Sequence, residues 1–377
     1  MATAPEDRPR PDQIEGAPHP RETPRLIGQS RAQADFMESF ATSRVHSGWL
    51  ITGPQGVGKA TLAWKIAAFL LSQPLVAADD MFGAPPPPTS LHVDDDHPDM
   101  RLIRSGAHPR LFVLRRGWDD KTDKLKSVIT VDEVRKLKAF FGMSAADGGR
   151  RVVIVDPADE MNVNAANAIL KLLEEPPADA TLLLVSHQPF RLLPTIRSRC
   201  RELRCGLLDA DGMADALAQA DIHTDSSDAL AALSGGSVGE AIRLTNLDGL
   251  ALYAELVGLF GGLPIIDRTR ALRLADSCTG KAGATRFSLM LDLIDHFLAR
   301  IARAGLQGPP AAQAASGEAL LLAKLSPSDT AARHWAALAQ DVSDRMRHGK
   351  AVNLDPAALI LDTLFKIEQA AHHAAHT

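Results

Sequence analysis

Cysteine is scarce in this chain: Cys200, Cys205 and Cys278 are the only three in 377 residues. Their number and uneven spacing exclude a disulfide framework or a four-cysteine zinc site and fit a reducing cytoplasm. Long apolar runs are lacking too. No stretch reaches the roughly 18 apolar residues of a membrane span, and the opening MATAPEDRPRPDQIEG has no apolar core of an export signal. The expectation is a cytoplasmic protein with no membrane partner. Nor is positive charge in excess: 41 Lys and Arg stand against 46 Asp and Glu, a formal net charge of −5. Phosphate binding depends on Lys and Arg, so a global positive field for nucleic acid is excluded and any DNA contact is local or shared with partners.

What is present is material for folded cores. Hydrophobic residues make up 45% and charged residues 23%, far from the signature of disorder. The length exceeds one ordinary core, so two or three domains are expected. Residues 1–24, rich in Pro, Arg and acidic side chains, read as a flexible tail. A second break spans about 81–99, with a polyproline stretch at Pro85–Pro88 and the acidic run Asp94, Asp95, Asp96; it belongs to an insertion of about 81–126.

Between and after these breaks, strands alternate with helices. Gly48–Thr52, Arg151–Asp156 and Thr181–Ser186 read as buried strands; Thr61–Leu71 and Asn164–Glu174 have helical apolar spacing. Strands apolar on both faces imply a parallel sheet covered on both sides, an α/β domain over 25–204. Beyond about Arg204 the strand signals vanish and the remainder reads as helical, with a break at Gly235-Gly236. Met290, Leu293, Ile294, Phe297, Leu298 and Ile301 mark one helix face, and Asp355-Pro356 opens a last helix.

The strongest motif is Gly53-Pro54-Gln55-Gly56-Val57-Gly58-Lys59-Ala60-Thr61, which follows a strand and opens a helix. It fits a P-loop almost completely: the glycines let backbone N–H groups turn around phosphate oxygens, and Lys59 neutralises phosphate charge, which points to ATP or ADP. The hydroxyl residue that should hold Mg²⁺ is Ala60, whose methyl cannot ligate metal. Thr61 lies about 100° further around the helix and is a poor substitute. Asp156 ends its strand as a Walker B aspartate does, but the next position is Pro157, which cannot act as a base. Asp159 and Glu160 read as solvated turn carboxylates. Nucleotide binding survives in this reading; Mg²⁺ ligation and hydrolysis are impaired.

A third motif, Pro194-Thr-Ile-Arg-Ser-Arg-Cys200, together with Ala165-Ala-Asn-Ala-Ile-Leu-Lys-Leu-Leu-Glu-Glu-Pro-Pro177 and the P-loop, resembles the AAA+ clamp-loader family of bacterial DNA polymerase III, its gamma/tau and delta-prime subunits. The resemblance covers about Arg25 to Arg243. It implies an AAA+ P-loop domain with parallel sheet and flanking helices, a small helical lid over 205–247, and an all-α collar for oligomerisation over 248–371. It also implies gamma/tau and delta subunits as partners, with the sliding clamp and primer–template DNA reached through the complex. In the family, the arginine of Ser-Arg-Cys projects into the neighbouring subunit's nucleotide site, so Arg199 is the candidate trans finger, with Arg197 open by position alone.

Motor subunits of the family carry a sensor arginine where this chain has Gly239, and a Thr-Asn where it has His187-Gln188. A damaged site in cis beside an intact finger implies a stator without its own ATPase; an ATP-hydrolysing motor is the alternative. Many relatives hold zinc in the insertion, but this one contains no cysteine, so no zinc is expected; His92, His97 and His108 with Asp94–Asp96 are read as solvated loop groups. The basic stretch Arg101, Arg104, Arg110, Arg115, Arg116, Lys121, Lys124 and Lys126 reads as a solvated face that a DNA-enclosing ring could turn toward phosphates.

Overall fold

A computed structural model describes residues 10–14, 16–42, 46–74, 88–119, 121–142 and 149–376. The chain divides into two compact units, the first of residues 1–223 with 236–240, the second of 224–235 with 241–377.

The first unit contains α1 (Ser30–Ala41), β1 (Gly48–Thr52), α2 (Lys59–Ser72), α3 (Pro98–Ser105), β2 (Leu111–Leu114), β3 (Trp118–Asp119), β4 (Lys124–Leu125), α4 (Val131–Gly142), β5 (Arg151–Val155), α5 (Val163–Glu174), β6 (Ala180–Ser186), α6 (Pro194–Arg197), β7 (Arg201–Arg204) and α7 (Ala210–Gln219). Five strands form one parallel sheet in the order β2-β5-β6-β1-β7, and β3-β4 form a small antiparallel ribbon. Alternate residues of the inner strands enter opposite cores. Trp49, Ile51, Val152, Ile154, Leu183 and Val185 meet Phe36, Ile66 and Phe69 of α1 and α2 on one face. Leu50, Val153, Val155, Leu182 and Leu184 meet Leu137, Phe140, Ile169 and Leu173 of α4 and α5 on the other. Burying each such Leu, Ile or Phe is worth about 1.5–3 kcal/mol, so these layers drive the sheet's formation.

The strands and helices expected at 48–52, 61–71, 151–156, 164–174 and 181–186 are present within a residue or two. The edge strands were not legible. In β7, Arg201-Glu-Leu-Arg204, only Leu203 is buried and there is no apolar run; β2 is the apolar Leu111-Phe-Val-Leu114 but is only four residues long and falls within the stretch read as an insertion. The expected insertion of 81–126 therefore needs correction: residues 111–114 pair with β5 as part of the main sheet. Pro85–Pro87 lie outside the described residues.

The flexible tail is corrected as well, where it is described. Within 10–24, Asp12 and His19 are buried and joined at 3.2 Å, the Asp12 carboxylate pairs with Arg115, and the His19 ring meets Trp64 of α2 edge-on at 5.6 Å. A hydrogen bond of 2.6 Å from Lys65 Nζ to the Pro24 carbonyl ties down the end of this segment. Composition hid it because a few polar side chains with buried partners hold it, with little apolar material.

The second unit is helical: α8 (Ser227–Ser234), most of α9 (Val238–Asn246), α10 (Gly249–Phe260), α11 (Arg268–Asp276), α12 (Gly280–Gln307), α13 (Glu318–Leu325), α14 (Asp329–Ala351) and α15 (Pro356–His376). All six positions expected on one face of α12 are fully buried, and Phe297 stacks on Phe260 at 4.7 Å. The buried Glu318 accepts hydrogen bonds from Tyr253 (2.6 Å), Arg300 (2.6 Å) and the Ala314 N–H (2.7 Å), so its charge is paired as burial requires. Asp355 caps α15 through the Ala358 N–H at 2.9 Å. Among the described residues no helix is long and apolar enough to cross a membrane.

Candidate nucleotide site

The P-loop joins β1 to α2. Gly53, Gly56 and Gly58 have φ of 142°, 77° and 95°, which other residues adopt only under strain. Side chains would also collide there, with the Cys205 carbonyl at position 53 and with Ser237 and Gly239 at position 56. The side-chain amide of Gln29 pins the loop's shoulder, donating to the carbonyls of Val57 (3.0 Å) and Gly206 (2.9 Å). Pro54 and Gln55 are exposed at the tip, Val57 is buried, and Ala60 and Thr61 are half-buried in the first turn of α2. Gly-rich turn and helix N-terminus together fit a phosphate cradle.

Lys59 is buried, and its Nζ donates to the carbonyl of Gly53 at 2.7 Å and to that of Pro54. Burial pulls its pKa down to about 8, against the opposing pull of Cys205 and of the carboxylates Asp156 and Asp159. Asp156, just past β5, is also buried. Burial, helped by the charge of Asp12, pushes its carboxyl up to about 7 despite Lys59. The donor set fits phosphate, but the position of the usual Mg²⁺-ligating hydroxyl is Ala60, which supplies no oxygen.

Four neighbours were misread, incompletely read or missed in the sequence. Asp159 is no solvated carboxylate: it accepts from Ser186 Oγ at 2.5 Å, from the Gln188 N–H at 3.0 Å and from the His187 N–H, clamping the turn after β6. Glu160, likewise half-buried, pairs with Arg116 at 2.7 Å. His187 is held neutral, its pKa lowered to about 4 by burial and then by the charge of Lys59. Asp12 is the fourth, placed beside Arg115 at the end of β2. Burial alone would raise its pKa; the His19 hydrogen bond and the Arg115 charge outweigh that and lower it. Only the Asp–His spacing in the opening segment could have signalled this pairing.

The Gly239 position is filled from both sides. Its N–H donates to the Gly56 carbonyl at 3.0 Å, and a side chain there would meet the Gly56 Cα at 2.9 Å and Ile14 Cδ1 at 2.5 Å. No arginine fits. Arg243, the nearest arginine in sequence, pairs with Asp292 at 2.7 Å.

Arg199 lies away from this cluster of groups. Exposed beyond α6, it donates to the Thr195 carbonyl at 3.1 Å and pairs with Glu174 at 3.0 Å. Arg197 differs: it is half-buried, with its guanidinium 5.6 Å from the Phe190 ring centroid. Burial pushes the Cys200 thiol up to about 12, which suits packing rather than nucleophilic chemistry. Of the basic stretch, Arg101, Arg104, Arg110, Arg115, Arg116 and Lys126 are each ion-paired. His108 is buried against Asp99 at 3.0 Å. Among the described residues no three His, Cys, Asp or Glu are grouped to hold a metal.

A P-loop between the strand and helix of a parallel β2-β5-β6-β1-β7 sheet, with an aspartate ending β5, places the first unit in the AAA+ class of α/β P-loop proteins. Residues 28–207, just under half of the chain, match the family model described as "DNA polymerase III, delta subunit". It is 43% identical over 198 residues to "DNA polymerase III subunit delta'" of Pseudomonas aeruginosa, covering 52% of this chain and 55% of that one. It is 30% identical over 223 residues to the protein of the same description from Bacillus subtilis, covering 59% and 61%. The chain thus spans little more than half the length of these relatives. A solved gamma subunit-related protein from Thermotoga maritima shares 17% identity over 89% of this chain and 99% of its own, with a TM-score of 0.38; that likeness carries no weight here.

Proposed function

We propose that this chain is a stator subunit of a bacterial clamp loader, helping DNA polymerase III place its sliding clamp on primer–template DNA. In this reading it assembles with gamma/tau and delta subunits in the bacterial cytoplasm, presents Arg199 to a neighbour's ATP, and does not turn over nucleotide itself. The carrying observation is the pairing of Gly239 with Gly56, which leaves no room for a sensor arginine. Ala60 and Pro157 favour the same conclusion.

Gly53, Pro54, Gln55, Gly56, Val57, Gly58, Lys59, Ala60 and Thr61 would hold ATP or ADP through backbone N–H groups and the Lys59 ammonium, with Asp156 facing the phosphates. Bound nucleotide would supply phosphate charge to this cradle. Ile14 rests on Gly239, and Asp12 sits at Arg115 close enough to Asp156 for its charge to act there. The opening segment therefore competes with nucleotide. Residues 205–247 are assigned as lid and 248–371 as collar. Six ion-paired positions in the basic stretch favour DNA contact shared across a ring over binding by this face alone.

The test is steady-state ATPase of the chain alone, then of the reconstituted complex. An inactive chain, with turnover of the complex lost on Arg199→Ala, supports the stator. Hydrolysis by the chain alone that disappears with Lys59→Ala would make it a motor.

A further inference from the structure

The second unit carries a cleft that the stator reading leaves unused. A cavity of about 310 Å³ opens among α10, α11 and α12, lined by Glu255, Leu259, Arg270, Arg273, Leu274, Ser277 and Arg286. Its floor is apolar, for Leu259 and Leu274 are 3% and 6% exposed. Its rim holds three guanidinium groups and one carboxylate. Glu255 lies 3.7 Å from Arg286, whose Nε also donates to Ser277 Oγ at 3.0 Å. Among the described residues Arg270 reaches only the Gly258 carbonyl, at 3.4 Å. Among the described residues neither Arg270 nor Arg273 has a carboxylate as ion-pair partner, in contrast to Arg268 on the same helix, which pairs with Glu368 at 2.8 Å.

Guanidinium groups gathered at a concave, partly apolar surface repel one another, and a bound anion relieves that repulsion. Their planar donor forks match phosphate oxygens two at a time. We propose that this cleft is a binding site for a phosphate-bearing ligand, with Arg270, Arg273 and Arg286 as its anion contacts and Glu255 as a competing internal charge. Ligand cavities begin at about 300 Å³, so the space suits a phosphate group or a short phosphate ester. The same chemistry is offered by free phosphates and by the phosphodiester of a nucleic acid strand.

The test uses the full chain carrying Lys59→Ala, so that the P-loop contributes little, and titrates it by calorimetry with pyrophosphate and, separately, with a single-stranded oligonucleotide lacking terminal phosphates. The expected result is saturable binding of at least one probe, weakened at least about tenfold by Arg270→Ala with Arg273→Ala and tightened by Glu255→Gln. Binding of pyrophosphate alone assigns the cleft to free phosphates; binding of the oligonucleotide assigns it to nucleic acid. No saturable binding of either probe, or binding indifferent to all three substitutions in a chain of unchanged Tm, overturns the proposal. Neither result bears on Arg199, which is tested by turnover of the complex.

Discussion

The P-loop and the Ser198-Arg199-Cys200 turn lie in one unit and are built in opposite ways. Around the P-loop the charged groups are turned inward: Lys59 bonds the loop's own carbonyls, Gly239 fills the space over Gly56, and Asp12 brings a buried charge near Asp156. The turn projects outward, with Arg199 exposed and held by Glu174, the Thr195 carbonyl and the Ser198 hydroxyl. A site that has closed over its own ligand groups and an arginine left reachable suit a subunit that contributes to another's chemistry.

That contrast can be broken most forcefully at Arg199. Arg199→Ala is expected to lower the reconstituted complex's DNA-stimulated ATP turnover by up to about 10³-fold, less where other sites fire. Arg199→Lys should not restore it, since a lysine lacks the planar fork; full rescue by lysine would leave only a charge requirement. The Tm of the chain should barely move in either variant.

Next in size is Gly56→Ala. The left-handed φ of 77° and the collisions with Ser237 and Gly239 predict a loss of about 1–3 kcal/mol in urea unfolding. An unchanged midpoint would mean that the loop is free to rearrange. Asp12→Ala sharpens the comparison from the other side. It leaves Arg115 and the buried His19 without their carboxylate and should cost about 1–3 kcal/mol, while nucleotide affinity, read by fluorescent ADP titration, rises severalfold. A fall in affinity would show that the opening segment supports the site rather than competing for it.

The pH dependence of the isolated chain should report the same inward site. His187 titrates at about 4 when folded against an ordinary 6.5, so the unfolded chain binds more protons between those values and stability falls as pH drops through that window. Asp156, raised to about 7 from 3.8, acts oppositely: the folded chain holds the extra proton, and stability falls as pH rises from about 4 to 7. His187→Gln should remove the first slope and Asp156→Asn the second, measured as urea midpoints across pH 4–8. The smallest effect is expected at Glu174→Gln, within about 0.5 kcal/mol, because the pair with Arg199 is solvent-exposed.

Legibility followed burial. The inner strands β1, β5 and β6 announced themselves as apolar runs because both faces are covered, and the α12 stripe by its helical spacing. The P-loop and Ser-Arg-Cys motifs were readable because local chain order alone sets their glycines and turn. The edge strand β7 was not, since a strand with one exposed side needs few apolar residues, and β2, though apolar throughout, is only four residues long and was hidden in the stretch read as an insertion. Asp12, Asp159 and Gly239 were misjudged or incompletely read for a different reason: each is defined by partners far along the chain, Arg115, Ser186 and Gly56.

By itself, then, the sequence determined the α/β-then-helical order, the damaged metal and base positions at Ala60 and Pro157, and the candidate arginine. Only the tertiary structure decided that the opening segment packs on the P-loop face, that a side chain at Gly239 would press on the Gly56 backbone, and that Arg199 is exposed where Arg197 is half-buried. Those outcomes depend on which buried polar groups find each other across the fold, and a linear pattern of residue types does not encode such pairings.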